Sequence, residues 1–160
     1  YTGATTINSG VLSINSIGNA GTNTAIGNSS AAINLGAGTL QYTGSGHSSS
    51  RAITLTANGA TIDASGSGAL TLSGGVTGTF NMVLTGTNNG SNTQSGVIGI
   101  STGTVTKSGS GTWVLSGANT YTGTTTINSG ALSINTIGNS GTNTSLGNSS
   151  GAISLGTATL

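Results

Sequence analysis

Forty residues at the start of this chain return, without a gap, at its end. Tyr1 to Leu40 and Tyr121 to Leu160 are identical at thirty of forty positions, and most differences exchange one small residue for another. The string TTINSG stands at 5–10 and again at 125–130. An uninterrupted offset of 120 residues marks a chain built from repeated units. Residues 1–120 form one period and residues 121–160 begin the next. We read 1–160 as a single continuous segment that opens and closes in mid-motif, a window on a longer repetitive protein. A fold that closes within one period has no use for such an offset. An open-ended stack does.

A shorter rhythm runs inside the long one. Apolar residues recur in pairs two apart, as at Leu12/Ile14, Ile33/Leu35, Ile53/Leu55, Leu70/Leu72, Met82/Leu84, Ile98/Ile100, Trp113/Leu115, Leu132/Ile134 and Ile153/Leu155. A spacing of two puts both residues on one face of a strand. Thr, Ser, Asn or Ala mostly fill the gaps. Asn58-Gly59, Asn89-Gly90 and Ser129-Gly130 punctuate the runs with residues that accept corner geometry. No stretch carries a helical period. Each unit of about 20 residues is too poor in apolar surface to fold alone, so it must stack on its neighbour. We therefore expect an all-β parallel β-solenoid with about 20 residues per rung. Its rungs should lie about 4.8 Å apart, giving roughly eight rungs over roughly 35–40 Å, with about six rungs to a long period. The local pattern alone leaves an antiparallel sandwich open.

The composition suits a stack. The 160 residues include 30 Gly, no Pro and no Cys, and Arg51, Lys107 and Asp63 are the charged side chains. In a stack, equivalent residues of successive rungs face each other, where like charges destabilise and Thr or Ser can hydrogen-bond. A net charge of +1 provides no electrostatic footprint for nucleic acid. No apolar run has the length of a membrane-spanning helix, so we expect no nucleic acid partner and no membrane insertion in this segment. Without cysteine there is no disulfide framework.

The segment KSGSGTWVLSGANTYTGTTTINSGAL, Lys107 to Leu132, resembles the autotransporter-associated β-strand repeat found in bacterial secreted and surface proteins. Tyr1 to Ile14 resembles its second half. Leu40 to Leu72, with Arg51 opening a strand, is similar to the sequence that links such repeats. The resemblance implies a right-handed parallel β-helix, an extracellular or cell-surface location in a bacterium, and no catalytic residues.

The candidate chemistry is thin. We assign no catalytic, cofactor-binding or metal-binding residue. One Asp and one His cannot form a paired-carboxylate site or a metal cluster. His47, within GSGHSSS, reads as a solvated loop histidine. Asp63 follows the inward Ile62 and reads as an outward residue or the start of a turn, and a contact between Arg51 and Asp63 is open. Trp113 shares parity with Leu115 and reads as core, with a Trp113/Tyr121 glycan platform as the alternative. The stretch Asn88 to Ser95, NNGSNTQS, reads as a projecting loop. Thr102, Thr104 and Thr124 to Thr126 suggest a Thr array of the ice-binding kind, but their sequence spacing is uneven. Asn28, Asn89, Asn143 and Asn148 match the glycosylation sequon by chance in so Asn-rich a chain.

Two roles follow. The first is a structural extracellular fibre, stalk or sheath whose partners are copies of itself or further repeats, joined end to end. The second is a surface adhesin that binds cells or glycans through loops. Ice binding and an enzyme come after these.

Overall fold

The computed structural model describes residues 1–156; the last four residues of the second repeat copy lie outside them. The described residues contain strands and no helix, as the period of two requires. Every pairing between named strands is parallel. The chain coils through three faces in turn and forms a β-solenoid, which removes the antiparallel sandwich.

The first face stacks Thr6–Ile7, Ile33–Leu35, Ile53–Leu55, Val76–Thr77 and Ile98–Gly99. The second stacks seven strands, Val11–Ile14, Thr39–Tyr42, Ala60–Ala64, Met82–Thr85, Val105–Lys107, Thr125–Ile127 and Ser154–Leu155. The third stacks Ser45–Ser49, Gly68–Leu72, Asn92–Gln94, Thr112–Leu115 and Ala131–Ile134. The stack thus reaches seven levels on its longest face, short of the eight expected. At about 4.8 Å per step those seven levels span about 29 Å.

The rung of about 20 residues holds for most coils with a small spread: Trp113 stands opposite Leu132, 19 residues on, and Ile33 opposite Ile53, 20 on. Leu40 stands opposite Ile62, 22 residues on, and Met82 opposite Val105, 23 on. Leu12, however, stands opposite Leu40, 28 residues on. The longer coil carries an excursion, Ser16 to Ala31, in the position of a third-face strand. Ile127 stands opposite Leu155, again 28 on, and Thr136 to Gly151 is the equivalent excursion.

The two copies do not occupy the same face. The first puts its TTI strand on the first face and its following strand on the second. The second copy puts the same two elements on the second and third faces. One long period is therefore five turns and one third, not six whole rungs. Its axial rise is about 26 Å at about 4.8 Å per turn.

Inward parity builds the core. On the second face Leu40, Ile62, Leu84, Lys107 and Ile127 form one file, all at most 1 % exposed. Burying each such apolar side chain is worth about 1.5–3 kcal/mol. On the third face the file runs His47, Leu70, Asn92, Trp113, Leu132. Corners stay tight through glycine. A Cβ on Gly96 would lie 2.2 Å from the Gly74 carbonyl oxygen, and one on Gly74 would lie 2.1 Å from that of Arg51. Side chains there would force successive coils apart.

Candidate contact surface

The few side chains with chemical potential are used inside the fold. His47 lies in the strand Ser45–Ser49, not in a loop, because the Ser-rich run pairs with Gly68–Leu72. Its Nδ1 is 2.7 Å from the Tyr42 hydroxyl, with the rings edge to face at 5.8 Å. The same hydroxyl accepts the Gly46 N–H at 2.8 Å. Asp63 does point outward, in the middle of the strand Ala60–Ala64. It accepts the Gln41 Nε2 at 3.0 Å from the coil below, and the Ser65 hydroxyl. His47 and Asp63 thus have separate partners on separate faces. Among the described residues no group of three or more His, Cys, Asp or Glu could hold a metal ion.

Arg51 does not meet Asp63. It is 3 % exposed, and its Nη1 and Nη2 donate to the Ile26 and Ala31 carbonyls at 3.1 and 3.2 Å. Lys107 is fully buried in the core file, yet its stem lets the ammonium reach a corner. There it donates to the Ser108, Gly109 and Ser129 carbonyls at 2.6, 2.9 and 3.1 Å. Burial lowers the Lys107 pKa from its ordinary value.

Trp113 is core, as its parity predicts, 1 % exposed with Nε1 donating to the Thr85 carbonyl at 2.9 Å. Tyr121 is also buried, its hydroxyl 2.7 Å from Thr125 Oγ1, and burial pushes its pKa up to about 12. With both rings inside, the aromatic glycan platform is removed. Only part of the stretch Asn88 to Ser95 is a loop, residues 89–91, which are exposed and outside any strand. The stretch also contains the strand Asn92–Gln94, with Asn92 and Gln94 pointing inward, 1 % and 0 % exposed. Asn92 ties three coils together. Its Oδ1 accepts the Leu70 N–H at 3.0 Å and its Nδ2 donates to the Thr112 carbonyl at 2.9 Å. Both residues look like loop formers, and only the parity of their neighbours marks them as inward.

The larger projecting surface lies elsewhere, on the two excursions. Asn19 to Asn23, NAGTN, and Asn139 to Asn143, NSGTN, are exposed throughout. Each tip is braced alike. Thr22 Oγ1 donates to the Asn19 carbonyl and Thr142 Oγ1 to that of Asn139, both at 2.6 Å. Each base rests on the coil below. The Asn28 and Asn148 N–H groups donate to the Tyr1 and Tyr121 carbonyls at 3.0 and 2.7 Å. At Gly27 and Gly147 φ is +69° and +81°, and a Cβ would fall 2.4 and 2.5 Å from those same carbonyls. The second excursion is also clamped by Asn119, whose Nδ2 donates to the Ser145 carbonyl at 2.7 Å. The tips are uncharged arrays of amides, hydroxyls and backbone. They are suited to hydrogen bonding, and a period-of-two reading passes over them because they are not strands.

The Thr residues are more ordered than their sequence spacing suggests. Thr39, Thr61, Val83, Thr106, Thr126 and Ser154 form one outward file on the second face. The neighbouring outward file holds Gln41, Asp63 and Thr85. The Thr array is thus one residue wide.

Comparison with known proteins agrees with this architecture. The family model described as Passenger-associated-transport-repeat matches residues 1–14 and 105–134. The chain is 44 % identical over 149 residues to a protein described as Adhesin BmaC autotransporter, from Brucella suis biovar 1 (strain 1330). That match covers 84 % of this chain and 4 % of the relative, so the chain spans a small part of that protein's length. No solved structure matches significantly.

Proposed function

Because this chain carries passenger-associated transport repeats, we propose that it is a stretch of the shaft of a secreted or surface-displayed bacterial adhesin-type passenger. The solenoid sets spacing and stiffness, and the uncharged excursions form the contact surface. The observation that supports this reading most is the pair of exposed Asn/Thr tips on a segment 44 % identical to part of an autotransporter adhesin. The residues of the chain with acid–base potential are each engaged in structural hydrogen bonds, which favours binding over catalysis. The test is to coat beads with the chain and measure attachment to host cells and to a glycan panel. Replacing 19–23 and 139–143 with Gly-Ser segments should abolish attachment while the β circular dichroism is retained. Attachment that survives both replacements would remove the tips from the role.

A fibre or stalk built end to end is the second reading, and the 120-residue recurrence with its parallel coils stacked edge to edge supports it. Strand edges template further pairing. Electron microscopy of concentrated protein should show thin filaments, and discrete particles at every concentration would count against it.

A further inference from the structure

The two excursions are one element seen with and without a coil above it. Over the first lies the segment Ser45 to Arg51. Ser49 Oγ donates to the Gly18 carbonyl at 2.7 Å, and the Ser50 N–H to Asn19 Oδ1 at 2.9 Å. The Arg51 guanidinium then spans the Ile26 and Ala31 carbonyls. Beneath this cover Ile17 is 2 % exposed. No described residue lies over the second excursion, and Ile137, the counterpart of Ile17, is 76 % exposed. A cavity of about 190 Å³ opens there, lined among others by Ile137, Gly138, Asn139, Leu146 and Gly151. Four of these, Gly138, Asn139, Leu146 and Gly151, are the counterparts of the groups that receive Ser49, Ser50 and Arg51. The Leu146 and Gly151 carbonyls accept no hydrogen bond from the described residues.

We propose that the cavity in the Thr136 to Gly151 excursion is a seat for a guanidinium. Its occupant is a further coil of this repeat whose serine-rich strand ends in arginine. The seat is preformed, since the uncovered copy keeps the internal bonds of the covered one. The Gly147 N–H still reaches the Thr144 carbonyl at 3.1 Å, as that of Gly27 reaches Thr24 at 3.0 Å. The acceptors are backbone carbonyls, so the substitutions between copies, Ile26 to Leu146 and Ala31 to Gly151 among them, leave them in place. Two carbonyls set apart suit a planar fork with divergent N–H groups better than a single ammonium. Arg51 and its counterparts would act as a register key. Arginine seats only when the excursion of the coil below lies beneath it, which happens once per long period.

This inference deepens the end-to-end reading by naming the chemistry of the joint, but its first test lies within the present chain. Hydrogen exchange of the 160-residue protein should show the Gly147 and Asn148 amides exchanging at least about tenfold faster than Gly27 and Asn28. Arg51→Met should bring Gly27 and Asn28 to the rate of Gly147 and Asn148, with the amides of 82–134 unchanged. Arg51→Lys should fall between. If Arg51→Met left Gly27 and Asn28 protected, the guanidinium would have no part in closing the seat. The second test appends residues 41–120 after residue 160, which places a copy of Arg51 over the second excursion. Protection of Gly147 and Asn148 should rise about tenfold and fall again when only the appended arginine is replaced by Met. Equal protection with Met, or no protection with arginine, would overturn the proposal. Failure to form filaments with both tests positive would count against assembly between molecules and leave the seat intact.

Discussion

Ile7 pairs with Leu35 on the first face, and its repeat counterpart Ile127 pairs with Lys107 on the second. The same sequence has therefore turned by one face in one period. The two excursions therefore leave the stack from different faces.

A distance measurement checks this rotation. Spin labels at Asn19→Cys and Asn139→Cys should report a separation well beyond the axial rise of about 26 Å, because the tips lie on different faces. A separation equal to that rise would place both tips on one side.

Asn92 should be the most costly polar residue of the third face to lose. Asn92→Ala leaves the Leu70 N–H and the Thr112 carbonyl without their partner. The cost should be about 2–4 kcal/mol, since each buried group left unsatisfied costs about 1–3 kcal/mol. Chemical unfolding followed by Trp113 fluorescence would measure it. A loss below 0.5 kcal/mol, on the order of a surface substitution, would mean that water replaces the amide.

Trp113→Ala should destabilise by about 3–5 kcal/mol through the cavity it leaves. It should leave bead attachment unaltered once the variant is folded, because the ring is inside. Loss of attachment in a folded variant would restore the aromatic platform.

Tyr121 predicts an alkaline limb. Its folded pKa, pushed up to about 12, lies above the ordinary tyrosine value of 10.0. Between those values the folded chain holds a proton that the unfolded chain has released. The stabilisation is complete below pH 10 and is lost as pH rises toward about 12, for a total on the order of 3 kcal/mol. Lys107 acts with the opposite sign. Its lowered pKa makes the folded chain release a proton first, so its contribution rises as pH climbs toward 10.5. Midpoint against pH should therefore fall above pH 10 in the native chain. Tyr121→Phe should flatten that fall, and an unchanged slope would exclude Tyr121 as its source.

The sequence by itself determined the period of two, the 120-residue recurrence and hence an open-ended stack with the paired Leu and Ile residues and Trp113 inside. These are properties of alternation and repetition, which a linear reading carries. Tertiary structure decided which face each strand joins, because coils of 19 to 28 residues absorb their differences at corners. Even spacing along the chain and alignment in space then part company. It also decided the fate of the polar residues. His47 is in a strand because the coil above pairs with it, Asn92 and Gln94 because the coils on both sides do, and Arg51 is inside because two carbonyls 25 and 20 residues away await it. Such partners come from other coils, and no local pattern names them.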